Sequence, residues 1–519
     1  MTDQPADQVA PWVPAWVQDA VFYQIFPDRF ARSGRVPAPG PLEPWDDVPT
    51  LYGTKGGDLL GIVDHLDHIQ DLGATALYLN PIFQSASNHR YHTYDYFAVD
   101  PLLGGNDGLR TLLDACHERG MRVVLDGVFN HASRGFWPFN HVLETGAASP
   151  YLDWFFIDRQ ALAEGRPVRA YPPSMPVDEA GGSPAETSMA RLGYEAWWGL
   201  PALPKINTAD PNARAYLMDV AEHWIHFGAD GWRLDVAEEV PDEFWREFRQ
   251  RVKAVDRDAY IVAEIWYEKP ETLRGDQYDA LMNYPLGAAI TSFVGAGRLD
   301  RRVVDQQFTI AQTVRDEDAP TFAGRLERAL TSSPPEVMAV QLNLLDSHDT
   351  PRFLSMVGGD RAALKLATLI QMTLPGAPSI YYGDEIGMTG ELDPLNRGAF
   401  PWDHQETWDR DLFASMRGAT GLRHAEPALR RGWFGMLAAA GSAVCYQRGL
   451  DDDRVLVAVN AGDGPTTIDV ELPDQAGRTF AVRRWEGGPA GLAGDRRTVE
   501  DGRLRLELGP RDGAVLVAD

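Results

Sequence analysis

Three acidic residues stand at the ends of short apolar segments that have the composition of buried strands. Asp235 lies in "GWRLDV", Glu264 in "VAEIW" and Asp349 in "LLDSHDTPR". Arg233 precedes Asp235 by two positions, and side chains two apart on a strand point to the same face. We therefore expect Arg233 and Asp235 to project into one cavity, to which neighbouring strands bring Glu264 and Asp349.

These charged side chains suit acid–base chemistry on a glycosidic bond. A neighbouring cation lowers a carboxyl pKa by about 1–3 units, so we expect Arg233 to keep Asp235 ionised. Glu264 has apolar neighbours and faces two anions, so its pKa should be raised and its carboxyl protonated. Retaining glycoside cleavage uses one ionised nucleophile and one protonated acid about 5–5.5 Å apart. The third carboxylate, Asp349, would then bind sugar hydroxyls.

Eight short segments rich in β-branched and aromatic residues supply the elements that must position these acids. The strands are predicted at 20–26, 74–80, 122–129, 231–236, 260–266, 279–285, 340–346 and 378–384. Between them, apolar residues recur at i, i+3, i+4 and i+7, as in 108–120 and 213–228, which indicates amphipathic helices. Alternating strands and helices predict an α/β fold with a parallel sheet, and eight units favour a closed (β/α)8 TIM barrel. Such barrels carry their active sites at the C-terminal mouth of the strands.

Two regions interrupt this alternation and predict the domain organisation. Residues 132–202, after the third strand, are rich in Gly, Pro and aromatic residues and form a predicted inserted domain B. From 427 to 519, short alternating strands separated by Gly, Asp and Pro predict a C-terminal antiparallel β-sandwich. The barrel is then assigned to 1–131 and 203–426.

Composition excludes several functional classes. The net charge of −27 argues against nucleic acid as a partner, because phosphates require Lys and Arg surfaces. Two cysteines in 519 residues argue against a disulfide framework or a thiolate metal site. With no apolar run of 18 residues and no secretory signal at the N-terminus, we expect no membrane partner and a cytoplasmic location.

The motifs around the acids resemble those of the α-amylase family of glycoside hydrolases, over nearly the whole chain from about residue 17. The matching segments are "DGVFNH" (126–131), "GWRLDVAEE" (231–239), "EIW" (264–266) and "LLDSHD" (344–349). The resemblance implies that Asp235 is the nucleophile, Glu264 the general acid/base and Asp349 the stabiliser of the transition state. These are the residues that the spacing argument selects.

The resemblance also implies a set of substrate-binding residues. Tyr94 would stack under the sugar at the cleavage subsite and His92 would hydrogen-bond it, while Asp393 and Arg397, in "DPLNR", would contact the next sugar outward. Trp266 either lines the acceptor subsite or packs the barrel rim. The remaining members of this set support the acids, namely Asp126, Asn130, His131, Arg233 and His348.

One segment, "LPKIN" (203–207), is similar to the corresponding motif of neopullulanases, cyclomaltodextrinases and maltogenic amylases. This likeness implies cleavage of α-1,4 bonds in maltooligosaccharides, cyclodextrins or pullulan, with possible transglycosylation. Because the first barrel strand begins near residue 20, the N-terminal β-domain usual in these enzymes is expected to be missing. Monomer and homodimer both stay open, and Glu238 stands where these enzymes usually have Asn.

No cofactor is expected to be required. The first βα loop, "PDRFARSGRVPAPG", lacks the run of Asn and Asp that binds calcium in many relatives, although Asn130 and the insertion could hold a different calcium site. The three histidines His92, His131 and His348 lack the i, i+4 spacing of a helical zinc motif, so no metal site is assigned.

Other interpretations remain open at this point. Tyr194, Trp197 and Trp198 form either a sugar platform or the hydrophobic core of the insertion. An exo-acting α-glucosidase and a specialised cyclic-oligosaccharide hydrolase share the predicted chemistry. A non-catalytic relative that keeps the barrel to bind a partner is disfavoured by the presence of all three acids.

Overall fold

Eight parallel strands form the centre of the molecule. The structure is a computed structural model, and it describes residues 12–38, 40–172, 187–492 and 494–519. In chain order the strands are β1 (Phe22–Ile25), β2 (Ala76–Leu79), β3 (Arg122–Gly127), β4 (Gly231–Leu234), β5 (Tyr260–Ala263), β6 (Ala280–Leu281), β7 (Leu342–Leu344) and β8 (Ala377–Tyr381). Each overlaps one of the eight predicted segments.

The sheet closes on itself. Its strand order is β6-β5-β4-β3-β2-β1-β8-β7, and a parallel bridge between Met282 and Leu342 joins its two edges. The predicted TIM barrel is therefore confirmed. The strand predicted at 279–285 has only two residues in β6, because Asn283 accepts a hydrogen bond from the Leu286 N–H and starts a helix there.

Helices cover the outside of the barrel. The longer ones are Gly105–Glu118, Pro211–His226, Asp242–Val255, Tyr284–Val294, Ala319–Thr331, Arg361–Thr373 and Arg410–Ala425. Shorter helices are Trp16–Asp19, Pro27–Phe30, Leu59–Asp64, Leu66–Asp71, Arg301–Val304, Phe308–Thr313, Pro335–Met338, Phe353–Met356 and Pro427–Arg431.

Two of these helices confirm the predicted periodicity. Gly105–Glu118 buries the residues predicted to face the sheet, and Gly120 beyond it adopts a left-handed φ of 71°, which favours glycine. Pro211–His226 begins after Asp210, whose side chain accepts from two backbone N–H groups of the first turn.

Aromatic residues of the segment between β3 and Pro211–His226 pack against one another and continue the hydrophobic core of the barrel. It contains the helices Trp137–Thr145, Arg159–Ala163 and Ser188–Leu192. Phe139 contacts both Phe155 and Tyr194, with ring centroids 4.9 and 5.0 Å apart. Residues 173–186 of the predicted insertion lie outside the described residues. The predicted boundaries at 132, 203 and 427 stay predictions.

The C-terminal region consists of antiparallel strands. They are β9 (Trp433–Ala440), β10 (Ala443–Leu450), β11 (Asp453–Asn460), β12 (Thr466–Glu471), β13 (Thr479–Arg483), β14 (Arg496–Thr498), β15 (Arg503–Leu508) and β16 (Asp512–Ala518). A six-stranded sheet, β9-β10-β11-β16-β13-β14, and a two-stranded sheet, β12-β15, share one hydrophobic core. The predicted β-sandwich is confirmed. Among the described residues, no helix combines the length and the apolar character needed to cross a membrane.

Candidate active site

The acids Asp235 and Glu264 meet at the carboxyl end of the barrel because each directly follows a strand. Asp235 succeeds β4 and Glu264 succeeds β5, and both side chains are buried. Arg233, fully buried on β4, joins them: its Nη1 lies 3.0 Å from Asp235 Oδ1 and its Nη2 lies 2.9 Å from Glu264 Oε2. The structure thus brings together the arginine and the two acids that the sequence singles out.

Asp126 at the end of β3 is the third carboxylate on this arginine. Its Oδ1 lies 2.8 Å from Arg233 Nη1. Its Oδ2 accepts hydrogen bonds of 2.8 Å from the hydroxyls of Tyr78 and Tyr91. Asp126 therefore fixes the position of Arg233, which also contacts Asp235 and Glu264.

Burial is the largest influence on the pKa values of the two acids. It raises the pKa of Asp235 well above the usual range, with Arg233 opposing the shift and Glu264 adding to it. It also raises the pKa of Glu264, again against Arg233. The pKa of Glu264 is raised as expected, whereas the expectation that Arg233 keeps the pKa of Asp235 low is wrong. The reason is that burial outweighs a single guanidinium which three carboxylates share.

Asp349 lies beside a different set of partners, on the loop that follows β7. His348 Nε2 is 3.0 Å from its Oδ2 and Arg397 Nη2 is 3.4 Å from its Oδ1. Burial raises the pKa of Asp349, but His348, Arg397 and Arg233 outweigh it, so the pKa is lowered. Asp393 Oδ2 pairs with Arg397 Nη1 at 3.1 Å. The predicted residues Asp393 and Arg397 therefore adjoin the third acid.

Two amides that the sequence analysis missed orient His348. The side-chain amides of Gln24 and Asn80 lie 2.9 and 3.0 Å from its Nδ1. Both amides present their NH2 groups to Nδ1, and the other ring nitrogen, Nε2, faces Asp349. Gln24 is on β1 and Asn80 follows β2. A polar residue within or at the end of an apolar strand was the signal that could have identified them.

The tyrosine at the acids is Tyr91, not Tyr94. The Tyr91 hydroxyl lies 2.7 Å from His348 Nε2 as well as 2.8 Å from Asp126 Oδ2, and its ring stacks on the imidazole. The Tyr94 ring instead packs against Gly135, where even a Cβ would overlap it. The assignment to the cleavage subsite therefore moves from Tyr94 to Tyr91, three positions earlier. The sequence does not separate the two tyrosines, because they stand in the same polar segment and only the geometry of the backbone distinguishes them.

The histidine assigned to the cleavage subsite changes in the same way, from His92 to His89. His89 is half-buried, and loss of solvation lowers its pKa well below the usual range, with His92, Arg397 and His348 contributing. His92 contacts His89 edge-on at 4.8 Å, and burial, then Arg134, lower the pKa of His92 to about 4. His89 therefore faces His348 and Arg397, while His92 lies behind it toward the insertion.

His131 connects the barrel mouth to the insertion. It is fully buried, its pKa is lowered to about 3 by burial and then by His92, and its Nε2 has no hydrogen-bond partner. Asn130 Nδ2 lies 3.3 Å from its Nδ1. The ring stacks on Trp197 with centroids 4.7 Å apart and 8° between the planes. His131 is thus a neutral ring with one nitrogen available at the site.

Aromatic residues of the barrel mouth and the insertion bear on two interpretations that the sequence leaves open. The Trp266 indole N–H lies 3.2 Å from Glu264 Oε1, and its ring stacks on Tyr284 at 3.8 Å, so Trp266 contacts the acid directly. Tyr194 is buried in the insertion core, whereas Trp198 is 76% exposed. Tyr194 therefore belongs to the core of the insertion, and Trp198 lies at the surface.

No metal centre accompanies these acids in the described part of the chain, where no group of three or more His, Cys, Asp or Glu side chains is arranged to hold a metal ion. The acids are held by hydrogen bonds and ion pairs of the protein itself. The arrangement can transfer protons, stabilise positive charge and present a carboxylate oxygen as a nucleophile.

Comparison with known proteins agrees with this chemistry. Residues 24–420 match the sequence profile of the family described as alpha amylase, catalytic domain. A cyclomaltodextrinase of Geobacillus thermopakistaniensis is 41% identical over 510 residues, covering 97% of this chain and 78% of that protein. Neopullulanase 2 of Thermoactinomyces vulgaris is 38% identical over 508 residues, with the same shares. The solved structure of cyclic α-maltosyl-(1→6)-maltose hydrolase from Arthrobacter globiformis has a TM-score of 0.79 at 36% identity, covering 97% of this chain and 99% of that one.

Proposed function

The chain belongs to the α-amylase family of glycoside hydrolases, and from this premise we propose that it is a retaining hydrolase of α-1,4-glucosidic bonds. The proposed substrates are maltooligosaccharides, cyclodextrins or pullulan, with transfer of glycosyl groups to sugar acceptors as a second outcome. The observation that carries the proposal is the pair Asp235 and Glu264 held by one guanidinium, at the mouth of a barrel.

In the first step, Glu264 donates its proton to the glycosidic oxygen and Asp235 attacks the anomeric carbon. The bond to the leaving sugar breaks and a covalent glycosyl ester forms on Asp235. Asp235 Oδ1 is occupied by Arg233, whereas Oδ2 has no hydrogen-bond partner. Oδ2 is therefore the oxygen free to attack, and the developing oxocarbenium ion favours an ionised Asp235 with the proton on Glu264.

In the second step, the Glu264 carboxylate removes a proton from water or from a sugar hydroxyl, which then displaces Asp235. Water gives hydrolysis and a sugar gives transfer. Glu264 keeps its orientation between the steps because the Val236 N–H donates to Oε2 at 3.0 Å and Trp266 donates to Oε1. One carboxyl thus serves as acid and then as base.

Asp349 supplies a fixed negative charge to the same reaction. Its lowered pKa favours the ionised carboxylate, which can accept hydrogen bonds from sugar hydroxyls and favour the positive transition state. Arg397 and Asp393 extend the polar surface outward from it and are proposed to contact the next sugar of the donor.

A second candidate is a hydrolase specialised for cyclic oligosaccharides. It is favoured by the likeness to the enzyme named cyclic α-maltosyl-(1→6)-maltose hydrolase, which extends over 97% of this chain. The chemistry at Asp235 and Glu264 would be the same, so only the preferred substrate separates the two candidates.

Product analysis tests the proposal. The purified protein is incubated with maltotriose, γ-cyclodextrin, pullulan and cyclic α-maltosyl-(1→6)-maltose, and the first-formed anomer is followed by NMR. We expect cleavage with α-anomers formed first. Preference for γ-cyclodextrin or pullulan supports the leading function and preference for the α-1,6-linked ring supports the second, whereas β-anomers formed first would exclude a retaining mechanism.

A further inference from the structure

Three aromatic rings form a stacked column from the buried site to the surface. The innermost ring is His131, the middle one is Trp197, and the outermost is Trp198. Each step is 4.7 Å between centroids, with interplanar angles of 8° and 20°. The outer indole is the most exposed of the three, with 76% of its surface accessible.

Two features of Trp198 are unfavourable for the fold itself. Its backbone lies in the left-handed region, at φ 51° and ψ 19°, where a bulky residue is strained and glycine is not. Its large apolar ring also faces water. Strain and exposure at one residue are commonly retained for a function.

Hydrogen bonds place the column on the Glu264 side of the site. The Trp197 indole N–H donates to Glu239 Oε1 at 3.1 Å, and Lys205 Nζ lies 3.3 Å from Glu239 Oε2. Glu239 ends the short turn Ala237–Glu239, and Val236 immediately before this turn contacts Glu264. Asp349 with its partners Arg397 and Asp393 forms the separate, donor-side surface.

The side of Glu264 is the side of the leaving sugar. A general acid protonates the oxygen that departs, and the acceptor of a transfer reaction returns to the same place by microscopic reversibility. A flat indole face offers a large rigid contact to the apolar C–H face of a pyranose ring. The neighbouring Glu239 carboxylate favours a neutral, hydroxyl-rich ligand over an anionic one.

We propose that the exposed face of Trp198 is a platform that binds a glucosyl unit of the leaving or accepting chain. This inference rests on the proposed function and deepens it. Trp198 favours sugar acceptors over water, and it favours substrates that extend beyond the cleaved bond on the Glu264 side. It is a specificity-determining residue that touches the acceptor and not the reacting atoms.

The test uses α-maltosyl fluoride, whose fluoride leaving group needs no sugar on the acceptor side. Wild type, Trp198→Gly and Trp198→Phe are compared, with maltotriose added as acceptor. Phe308→Ala is the matched control, since Phe308 is 75% exposed on a helix outside the site. Thermal melting checks the fold, and glycine at position 198 is expected to leave Tm unchanged or raise it, because it relieves the backbone strain.

We expect Trp198→Gly to hydrolyse α-maltosyl fluoride at the wild-type rate but to need about fivefold more maltotriose for half-maximal transfer. Trp198→Phe should keep most of the acceptor affinity and Phe308→Ala all of it. An unchanged acceptor requirement in Trp198→Gly, or an equal change in Phe308→Ala, would overturn the platform while leaving the proposed function intact. Failure of the wild type to cleave α-maltosyl fluoride or any glucan would remove the proposed function and the platform with it.

Discussion

Arg233 contacts three carboxylates at once, and this sharing governs the charge of the site. Asp126 lies below it, and Asp235 and Glu264 lie beside it at 3.0 Å or less. One buried positive charge cannot hold three buried negative charges ionised, so Asp235 and Glu264 bind a proton more tightly than carboxyls in water. The site is therefore built to retain the proton that acid catalysis needs.

The raised pKa of Asp235 makes a prediction about stability. When the pKa of a carboxyl is higher in the folded protein than its unfolded value of about 3.9, the free energy of unfolding falls as pH rises from the unfolded pKa to the folded pKa. Asp235→Asn removes this loss, so at about pH 7 its Tm should exceed that of the wild type by a few degrees. Differential scanning calorimetry from about pH 4 to 8 should show the difference fading toward acid.

The matched control for this measurement is Asp474→Asn, at an exposed position of the C-terminal region. It should follow the wild-type curve at every pH. A Tm of Asp235→Asn below that of the wild type at neutral pH would show that the Arg233–Asp235 contact outweighs the cost of burial.

The two neighbouring tyrosines give a second prediction at the same scale. Tyr91→Phe removes the hydroxyl that contacts Asp126 and His348, and the loss of a hydrogen bond to a charged group should lower kcat/KM about tenfold or more. Tyr94→Phe is the control and should change kcat/KM less than twofold. The reverse order of effects would restore Tyr94 to the cleavage subsite.

The loops after β7 and β8 form one unit, and Asn396 joins them. Its Nδ2 donates to the carbonyl oxygens of His348 and Thr350, both at 2.8 Å, and the residue is fully buried. Arg397, the next residue, donates from Nε to the same His348 carbonyl at 2.9 Å. The Asn396 amide and the Arg397 guanidinium therefore hold the loop of Asp349 together.

Removing that amide should affect both stability and activity. Asn396→Ala removes the side-chain donor of the buried Thr350 carbonyl and leaves the His348 carbonyl with Arg397 as its donor, which costs about 1–3 kcal/mol of unfolding free energy, measured by urea denaturation. With Asp349 displaced from Arg397, kcat/KM should fall about tenfold when assayed well below the variant's Tm. Asn212→Ala, at an exposed position, should match the wild type in both measurements. Unchanged kcat/KM in Asn396→Ala would mean that the loops hold without the amide.

At the scale of elements, the sequence predicts strands well because their signal is local. The eight apolar segments each contain or overlap a barrel strand, and Asp235 and Glu264 follow their strands directly. Tyr91 and His89 were missed because the stretch from residue 89 to 96 carries two histidines and three tyrosines, and no periodic pattern tells them apart. The pKa of Asp235 was mispredicted because the number of carboxylates around Arg233 is a property of the closed barrel and not of the pair within "WRLD".

At the scale of the whole molecule, the barrel, the segment inserted after β3 and the C-terminal sandwich are each held by protein contacts. We propose that the protein needs no bound metal, since the first βα loop lacks a calcium-type run of Asn and Asp. In that loop Asp28 instead accepts hydrogen bonds of 2.9 and 3.0 Å from the backbone N–H groups of Lys55 and Gly56.

Chelation tests this proposal. Dialysis against EDTA should leave both Tm and the rate of maltotriose cleavage unchanged, because no ligand set would be emptied. A matched sample with added calcium should behave identically. Loss of activity on dialysis, with recovery on calcium and not on magnesium, would reveal a calcium site and contradict the proposal.

The central claim is that Asp235 carries the sugar and Glu264 moves the proton. The most direct test mixes the Glu264→Gln variant with α-maltosyl fluoride. Departure of fluoride needs no acid, so the maltosyl ester still forms on the enzyme, but the ester is not hydrolysed because the variant lacks the base. Mass spectrometry of the digested protein should find one maltosyl group added to Asp235. A maltosyl group on Asp349 or another residue, or fluoride released as fast as in the wild type with no adduct, would contradict the account.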